Sequence, residues 1–197
     1  MSGLRETKKA ATRNAIADAA AQILLTEGYE SFTVATIAKA AGVTTRTFHN
    51  YFTGLDKALL AFIETTIVEV AEQVKHFPAE LDTVDIVEEL VVSGVRAEEP
   101  PIRSITSLFL VADSAGNHGG LGGPPPSKEE AYALVNPLLK AFTERTTEDV
   151  FSVEVKVRVA AAAGLMAVEK FLSLPEPQDK EVGTRMVRQA FSILRSC

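Results

Sequence analysis

The chain has 197 residues, of which 46% are hydrophobic and 23% are charged, a size and balance typical of one globular domain or two small ones. Its single cysteine, Cys197, excludes an intramolecular disulfide and a thiolate metal cluster built from one chain. The chain contains no run of about 18 apolar residues, which is the length needed to span a membrane. Its first residues also lack the apolar core of a signal peptide. We therefore expect a soluble, cytoplasmic protein with no membrane partner.

Charge is distributed unevenly along the chain. Residues 1–57 contain seven Lys and Arg against five Asp and Glu, whereas the remainder contains thirteen against twenty-one, within a formal net charge of −6. A mildly basic N-terminal segment on an acidic body indicates that only this segment would contact a polyanion such as DNA. A chance asymmetry would look the same, so charge alone does not decide the partner.

Nearly every long segment has helical periodicity, which predicts an all-α protein. The first predicted helix covers about residues 6–26 and ends at Gly28. Lys8, Lys9 and Arg13 crowd its first turns, where cations oppose the helix macrodipole. An external anion such as a DNA phosphate would offset that unfavourable placement.

Two short helices follow, at about 34–41 and 45–52. Thr33 and Thr44 stand where a hydroxyl can cap each of them, and Gly42 provides the turn between them. A capped short helix, a Gly turn and a second short helix have the spacing of a helix-turn-helix.

The rest of the chain predicts six more helices, at about 56–76, 82–97, 101–113, 128–146, 148–174 and 179–196. Pro137 should kink or split the fourth of these. The valines between Val153 and Val159 alternate as in a strand, but the alanines that follow favour one long helix. The Gly- and Pro-rich stretch 116–126 predicts a flexible connector, since it lacks the Lys-Ser/Thr ending of a phosphate-binding loop.

The helix at 45–52 has two chemically different sides. Phe48, Tyr51 and Phe52 share one side of the helical wheel, with Arg46, His49 and Asn50 on the other and Thr45 at the border. In a DNA major groove Arg46 can pair with guanine and Asn50 with adenine. A solvated face is the alternative, but no acidic residue occurs between Glu30 and Asp56, and acids would repel phosphate.

Residues 5–60 resemble the N-terminal domain of tetracycline-repressor (TetR) family regulators, above all in Thr33-Val-Ala-Thr-Ile-Ala-Lys-Ala-Ala-Gly-Val-Thr-Thr-Arg-Thr-Phe-His-Asn-Tyr-Phe52. The resemblance implies a three-helix DNA-binding domain, placed at 1–55, joined to a larger helical effector-binding and dimerisation domain at 56–197. The resemblance and the helical wheel of residues 45–52 together predict the residues that contact DNA. These are Thr33, Thr44, Thr45, Arg46, Thr47, His49, Asn50, Tyr51 and Lys57. The family's usual lysine at the start of the fourth helix is Leu55 here, and Lys57 is the candidate replacement.

The resemblance also implies a homodimer built from the last two helices and a small-molecule pocket in the helical body. The predicted dimer residues are Ala160, Ala163, Gly164, Val168, Phe171, Val187, Phe191 and Leu194. The predicted ligand-binding residues are Phe62, Ile67, Phe109, Leu110, Tyr132 and Met166. Packing within one chain is the alternative role for each residue of both sets.

These features predict a ligand-responsive transcriptional regulator, most simply a repressor that a small apolar or weakly polar effector releases from DNA. As a dimer it would bind a double-stranded, pseudo-palindromic operator with half-sites about 34 to 36 Å apart, or somewhat more. The alternatives are a helical DNA-binding protein without a ligand and a small-molecule-binding protein or enzyme on a helical scaffold. We expect no enzyme, cofactor or metal site, because the three histidines are far apart and no catalytic triad can be assembled.

Overall fold

The computed structural model describes residues 2–117 and 127–196. Over these ranges it contains nine α-helices, one short 3-10 helix at Tyr29–Ser31 and no strand, which confirms the predicted all-α fold. The α-helices are α1 (Ser2–Glu27), α2 (Val34–Ala40), α3 (Thr45–Tyr51), α4 (Leu55–Lys75), α5 (Thr83–Arg96), α6 (Ile105–Asn117), α7 (Lys128–Thr143), α8 (Val150–Leu172) and α9 (Lys180–Ser196). The connector expected at 116–126 falls mostly on residues 118–126, outside the described residues.

Two predicted helices differ from the observed ones for identifiable reasons. Helix α6 begins four residues later than predicted, because the Ser104 hydroxyl accepts a hydrogen bond from the Ser107 amide at 3.1 Å and caps it. Helix α7 runs unbroken through Pro137, so of the predicted kink or split the split is wrong. Its capping box at Ser127 and its buried C-terminal half hold the helix despite the hydrogen bond that proline cannot make.

The described residues divide into two compact units. The first contains residues 2–65 and 111–117, and the second contains 66–110 and 127–196. In the first unit α1 packs on α2 and α2 packs on α3. Their shared core is apolar and includes Ile16, Ile37 and Phe48, each with no exposed surface. This core fixes the two short helices, which at seven residues each would not be stable alone.

The core of the second unit lies where α5, α8 and α9 meet. Val91, Val153, Val187 and Phe191 have no exposed surface there. Gly183 on α9 permits this close approach, because a Cβ at that position would lie 2.8 Å from the Phe171 ring. Among the described residues, no helix is both long and apolar enough to cross a membrane.

A buried carboxylate joins α5 to α9. Glu88 is 3% exposed, and its two oxygens lie 3.0 Å from the Arg188 guanidinium and 2.5 Å from that of Arg195. Burial acts to lower the pKa of Arg188, but hydrogen bonds to Glu89 and Glu88 outweigh it and leave that pKa raised. Two arginines thus offset the desolvation of one buried charge.

Candidate nucleic-acid interface

Each helix of the predicted helix-turn-helix begins with a threonine cap. The Thr33 hydroxyl accepts a hydrogen bond from the Thr36 amide at 3.2 Å, and the Thr44 hydroxyl accepts one from the Thr47 amide at 3.0 Å. Both capping predictions are confirmed. A cap matters here because each helix has only seven residues, so one lost hydrogen bond removes much of its first turn.

The turn between α2 and α3 requires a glycine. Gly42 has a φ of +66°, a left-handed conformation that other L residues adopt only with strain. A Cβ there would meet nothing within 4 Å, so the requirement comes from the backbone and not from crowding. The Val43 amide then donates to the Ala38 carbonyl at 2.9 Å, which fixes the direction in which α3 leaves the turn.

Helix α3 has the two sides that its sequence predicts. Phe48 has no exposed surface and Phe52 is 3% exposed, with their ring centroids 5.9 Å apart. Tyr51, on the same side, is half-buried. The aromatic side therefore anchors α3 to the domain.

The opposite side of α3 is open to solvent. Thr45, Arg46, His49 and Asn50 are exposed, and Thr47 is half-buried with its hydroxyl 2.9 Å from that of Thr44. Within the described ranges Arg46 makes no ion pair, and the sequence places no acid between residues 31 and 55. Arg46 and Asn50 therefore present hydrogen-bonding groups that a base edge can use.

The remaining predicted DNA contact, Lys57, lies at the start of α4. Lys57 is exposed, with its ammonium 3.5 Å from the carboxylate of Asp56. That neighbour lowers the local positive charge that Lys57 would offer to a phosphate. Leu55, at the position of the family's usual lysine, is half-buried.

Arg13 has a role that its sequence position did not indicate. Its guanidinium carbon lies 5.1 Å from the centroid of the Phe52 ring, and its side chain is 4.0 Å from the Glu64 carboxylate. Arg13 thus links α1 to the end of α3 and to α4 within the first unit. The signal was available in the helical wheel, on which Arg13 shares the side that the buried residues Ile16 and Ala20 occupy farther along α1.

Comparison with known proteins identifies this domain. Residues 16–61 match the model of the family described as bacterial regulatory proteins, tetR family. By this match residues 16–61 form a tetR-family domain. A solved structure, described as the fatty acid degradation regulator FadR from Bacillus halodurans, matches with a TM-score of 0.52 and 18% identity over 93% of this chain and 94% of that one. At this identity the likeness shows the shared fold. Comparison with curated proteins gives no significant match.

The six predicted ligand-binding residues lie in different surroundings. In the first unit Phe62 has no exposed surface; in the second, Ile67 is 2% exposed. Phe109 and Leu110 are half-buried on α6. Tyr132 on α7 is exposed, as is Met166 on α8. The ligand role of all six stays a prediction.

The described residues of the second unit form cavities. One of about 160 Å³ is lined by residues 79–83 with Ile86, Phe142, Arg145, Thr146 and Glu148. Another is an open depression of about 430 Å³ along α7, lined by residues that include Tyr132. A separate feature is the Thr66 hydroxyl on α4, which is fully buried and has no hydrogen-bond partner in the part of the chain that is described.

Most of the predicted dimer residues are buried within the single chain. Ala160, Val187 and Phe191 have no exposed surface, and Gly164, Val168 and Phe171 are also buried, while Ala163 and Leu194 are half-buried.

A different face of α8 carries exposed apolar side chains. It is formed by Phe151, Val155, Val159, Ala162 and Met166, which we call the α8 stripe.

Proposed function

We propose that this TetR-family regulator is a repressor that binds a pseudo-palindromic operator as a homodimer and is released by a small apolar or weakly polar effector. One observation supports the DNA contact above all: the capped helix α3 presents Arg46 and Asn50 to solvent in a segment without acids. Two recognition helices related by a two-fold axis would enter successive major grooves. The protein would act in the cytoplasm, where its DNA is.

The α8 stripe supports the homodimer. Its members are spaced by four, four, three and four residues, so they lie on one face of a helix. Phe151 and Met166 are 73% and 70% exposed, a large apolar exposure for a helix whose other side is the core. A second copy of the same stripe would cover it in a two-fold, self-complementary interface. Ile193 on α9 is a further exposed apolar side chain of the second unit, at 58%.

Effector control would act through α4, whose first residues are in the first unit and whose last residues are in the second. A ligand shifts the protein between DNA-binding and non-binding states only through its different affinity for the two. The buried, unpartnered Thr66 hydroxyl on this helix offers one hydrogen-bonding group to such a ligand. Fatty acids are the first effectors to test, since the FadR neighbour is described as a regulator of fatty acid degradation.

The test is a selection of bound sequences from a random duplex library with the full-length protein and with the Arg46→Ala variant. We expect the wild-type protein to enrich one inverted repeat, and the variant to enrich it more weakly and to lose the preference at the base pair that Arg46 contacts. Failure of the wild-type protein to enrich any sequence at low salt, where phosphate contacts are strongest, would overturn the proposal. A second step adds candidate effectors to the operator complex. Release confirms a repressor of the proposed type, and tighter binding shows that the ligand promotes DNA binding.

A further inference from the structure

A partly open cavity of about 160 Å³ lies beyond the C-terminal end of α4, within the second unit. Residues 79–83, where the turn after α4 leads into α5, line it together with residues of α5, of α7 and of the segment between α7 and α8. Its described lining residues include none of the six that the sequence predicts to bind the effector. This cavity is therefore a separate candidate site.

Arg145 lines this cavity and has a hydrogen-bond donor without a partner. Its guanidinium donates to the Lys75 carbonyl at 3.4 Å and to the Pro78 carbonyl at 2.6 Å, and so holds the turn that follows α4. Its Nε is buried, and in the described part of the chain it has no acceptor. No carboxylate of that part pairs with this guanidinium either. Buried donors are almost always paired, so an acceptor placed in the cavity would satisfy this one.

The apolar part of the lining suits a small apolar group. Ile86 of α5 and Phe142 of α7 line the cavity and are each 1% exposed. An apolar cavity of about 150 Å³ accommodates a molecule the size of benzene. A ligand of this cavity would therefore carry an apolar body of about six carbon atoms beside the acceptor for Arg145.

The charges around the cavity favour a neutral ligand over an anion. Glu80, Asp82 and Glu148 line it together with one cation, Arg145. The ammonium of Lys156 lies 2.7 Å from Glu148, whereas Glu80 and Asp82 form no ion pair within the described ranges. These carboxylates would repel an anion, but the N–H group of a neutral molecule can donate to them.

We propose that this cavity binds a small neutral carboxamide with an apolar body. The carbonyl oxygen of the ligand accepts from the Nε of Arg145, and its amide group donates to a carboxylate of the lining. Because Arg145 also holds the Pro78 carbonyl, an occupied site stabilises the turn between α4 and α5. The site is distinct from the proposed effector site, since Thr66 lies nine residues before the end of α4, about 14 Å along the helix. The proposal does not depend on DNA binding.

The test uses three probes of similar shape: benzamide, the anion benzoate, and toluene, which has no acceptor. Each is titrated into the ¹⁵N-labelled full-length protein and followed by NMR. We expect benzamide to shift two signals, with a Kd of about 1 mM for a molecule of this size. One is the Leu81 amide, which donates to the Pro78 carbonyl at 3.3 Å, and the other is the Nε–H of Arg145. Benzoate and toluene should bind at least about tenfold more weakly, because one is repelled and the other leaves the donor unpaired.

Variants show whether the probe occupies this cavity. Ala79→Leu places a larger side chain at an exposed lining position, so it should fill the space and weaken benzamide binding at least about tenfold without disturbing the core. Arg145→Lys keeps the charge, removes the Nε–H signal and should also weaken binding. Ala133→Leu is the matched control, because Ala133 is exposed and lines the open depression along α7, and it should bind benzamide as the wild-type protein does.

Three results would overturn the proposal. If none of the probes shifts the Leu81 amide, the cavity holds only water. If benzoate binds more tightly than benzamide, the ligand is an anion. If Ala79→Leu binds benzamide as tightly as the wild-type protein, the probe binds elsewhere. None of these results bears on operator binding, so the proposed function is tested separately.

Discussion

The guanidinium of Arg13 lies over the ring of Phe52, with its carbon 5.1 Å from the ring centroid. Phe52 caps the end of α3, and its ring packs 5.9 Å from that of Phe48, which is fully buried. Arg13 therefore holds α1 against the same aromatic pair that anchors α3. Arg13, which the sequence presents as a candidate phosphate ligand, instead contacts other side chains of the protein.

We expect Arg13→Met to lower the free energy of unfolding by about 0.5–1 kcal/mol, because a cation over an aromatic ring at a partly exposed site is worth about that much. Chemical denaturation with an unchanged m-value is the measurement. A double-mutant cycle with Phe52→Leu should show that most of this loss is coupling free energy between the two side chains. Glu64→Gln, which removes only an exposed 4.0 Å ion pair, should change stability by a few tenths of a kcal/mol at most. Zero coupling with Phe52 would contradict the contact.

The caps of the helix-turn-helix give a second prediction. Thr44→Ala should lower the free energy of unfolding by about 1 kcal/mol, since the Thr47 amide loses its 3.0 Å acceptor. Thr44→Ser keeps the hydroxyl and should restore most of the loss. Hydrogen exchange at the Thr47 amide provides a local check: it should speed up in the Ala variant and stay slow in the Ser variant. Equal exchange in both would mean that the cap is not what protects this amide.

Short-range signals in the sequence were sufficient to predict the helix-turn-helix. Thr33, Gly42 and Thr44 act on the next few residues, so their effect can be predicted without knowledge of the tertiary fold. The partner of Arg13 lies 39 residues away and the partners of Glu88 about 100 residues away along the chain. Spacing along one helix shows that Arg13 faces the buried side, but it does not show which distant residue a side chain meets, and the sequence did not predict these pairs.

The exposed side of α3 gives a third prediction. Arg46→Ala and Asn50→Ala should each weaken operator binding by about 1–3 kcal/mol, or about 5- to 150-fold, because each can pair with one base edge. Both side chains are exposed in the free protein, so the circular dichroism spectrum and unfolding transition should not change. Lys140→Ala, an exposed charge on α7, serves as the matched control and should leave affinity within twofold. If the control and Arg46→Ala lose affinity equally, the base contact does not exist.

The α8 stripe leads to a fourth prediction, on oligomeric state. Val159→Glu should convert the proposed dimer to a monomer at micromolar concentration, because two-fold symmetry would bury a pair of like charges near the centre of the stripe. Light scattering coupled to size exclusion gives the mass directly. Val68→Glu is the matched control, since Val68 is also exposed but lies on α4. A dimeric Val159→Glu variant would exclude the α8 stripe as the interface.

Helix α8 carries one set of buried apolar residues and a second set, the α8 stripe, that is exposed. The sequence alone could not show which set is buried. Gly164 and Val168 pack inside the chain, whereas Val159 and Met166 face outward, yet all four belong to the same apolar helix. Helical periodicity identifies faces only when one face is polar. A helix that is apolar on two faces requires its neighbours, α5 and α9, to show which face is already covered.

A pair of adjacent threonines on α4 provides the last prediction. The hydroxyl of Thr65 donates to the Ala61 carbonyl at 2.9 Å, while the fully buried hydroxyl of Thr66 has no partner among the described residues. Leaving a buried hydroxyl unpaired costs about 1–3 kcal/mol, so Thr66→Val should raise the free energy of unfolding by about 1 kcal/mol. Thr65→Val removes a satisfied hydrogen bond and should lower it by about 0.5–1.5 kcal/mol. Urea denaturation of both variants and the wild-type protein shows whether each substitution raises or lowers the free energy of unfolding. A loss of stability in Thr66→Val would show that this hydroxyl has a hydrogen-bond partner in solution. The partner would be an ordered water or a small molecule retained through purification. Mass spectrometry of the denatured protein would distinguish the two.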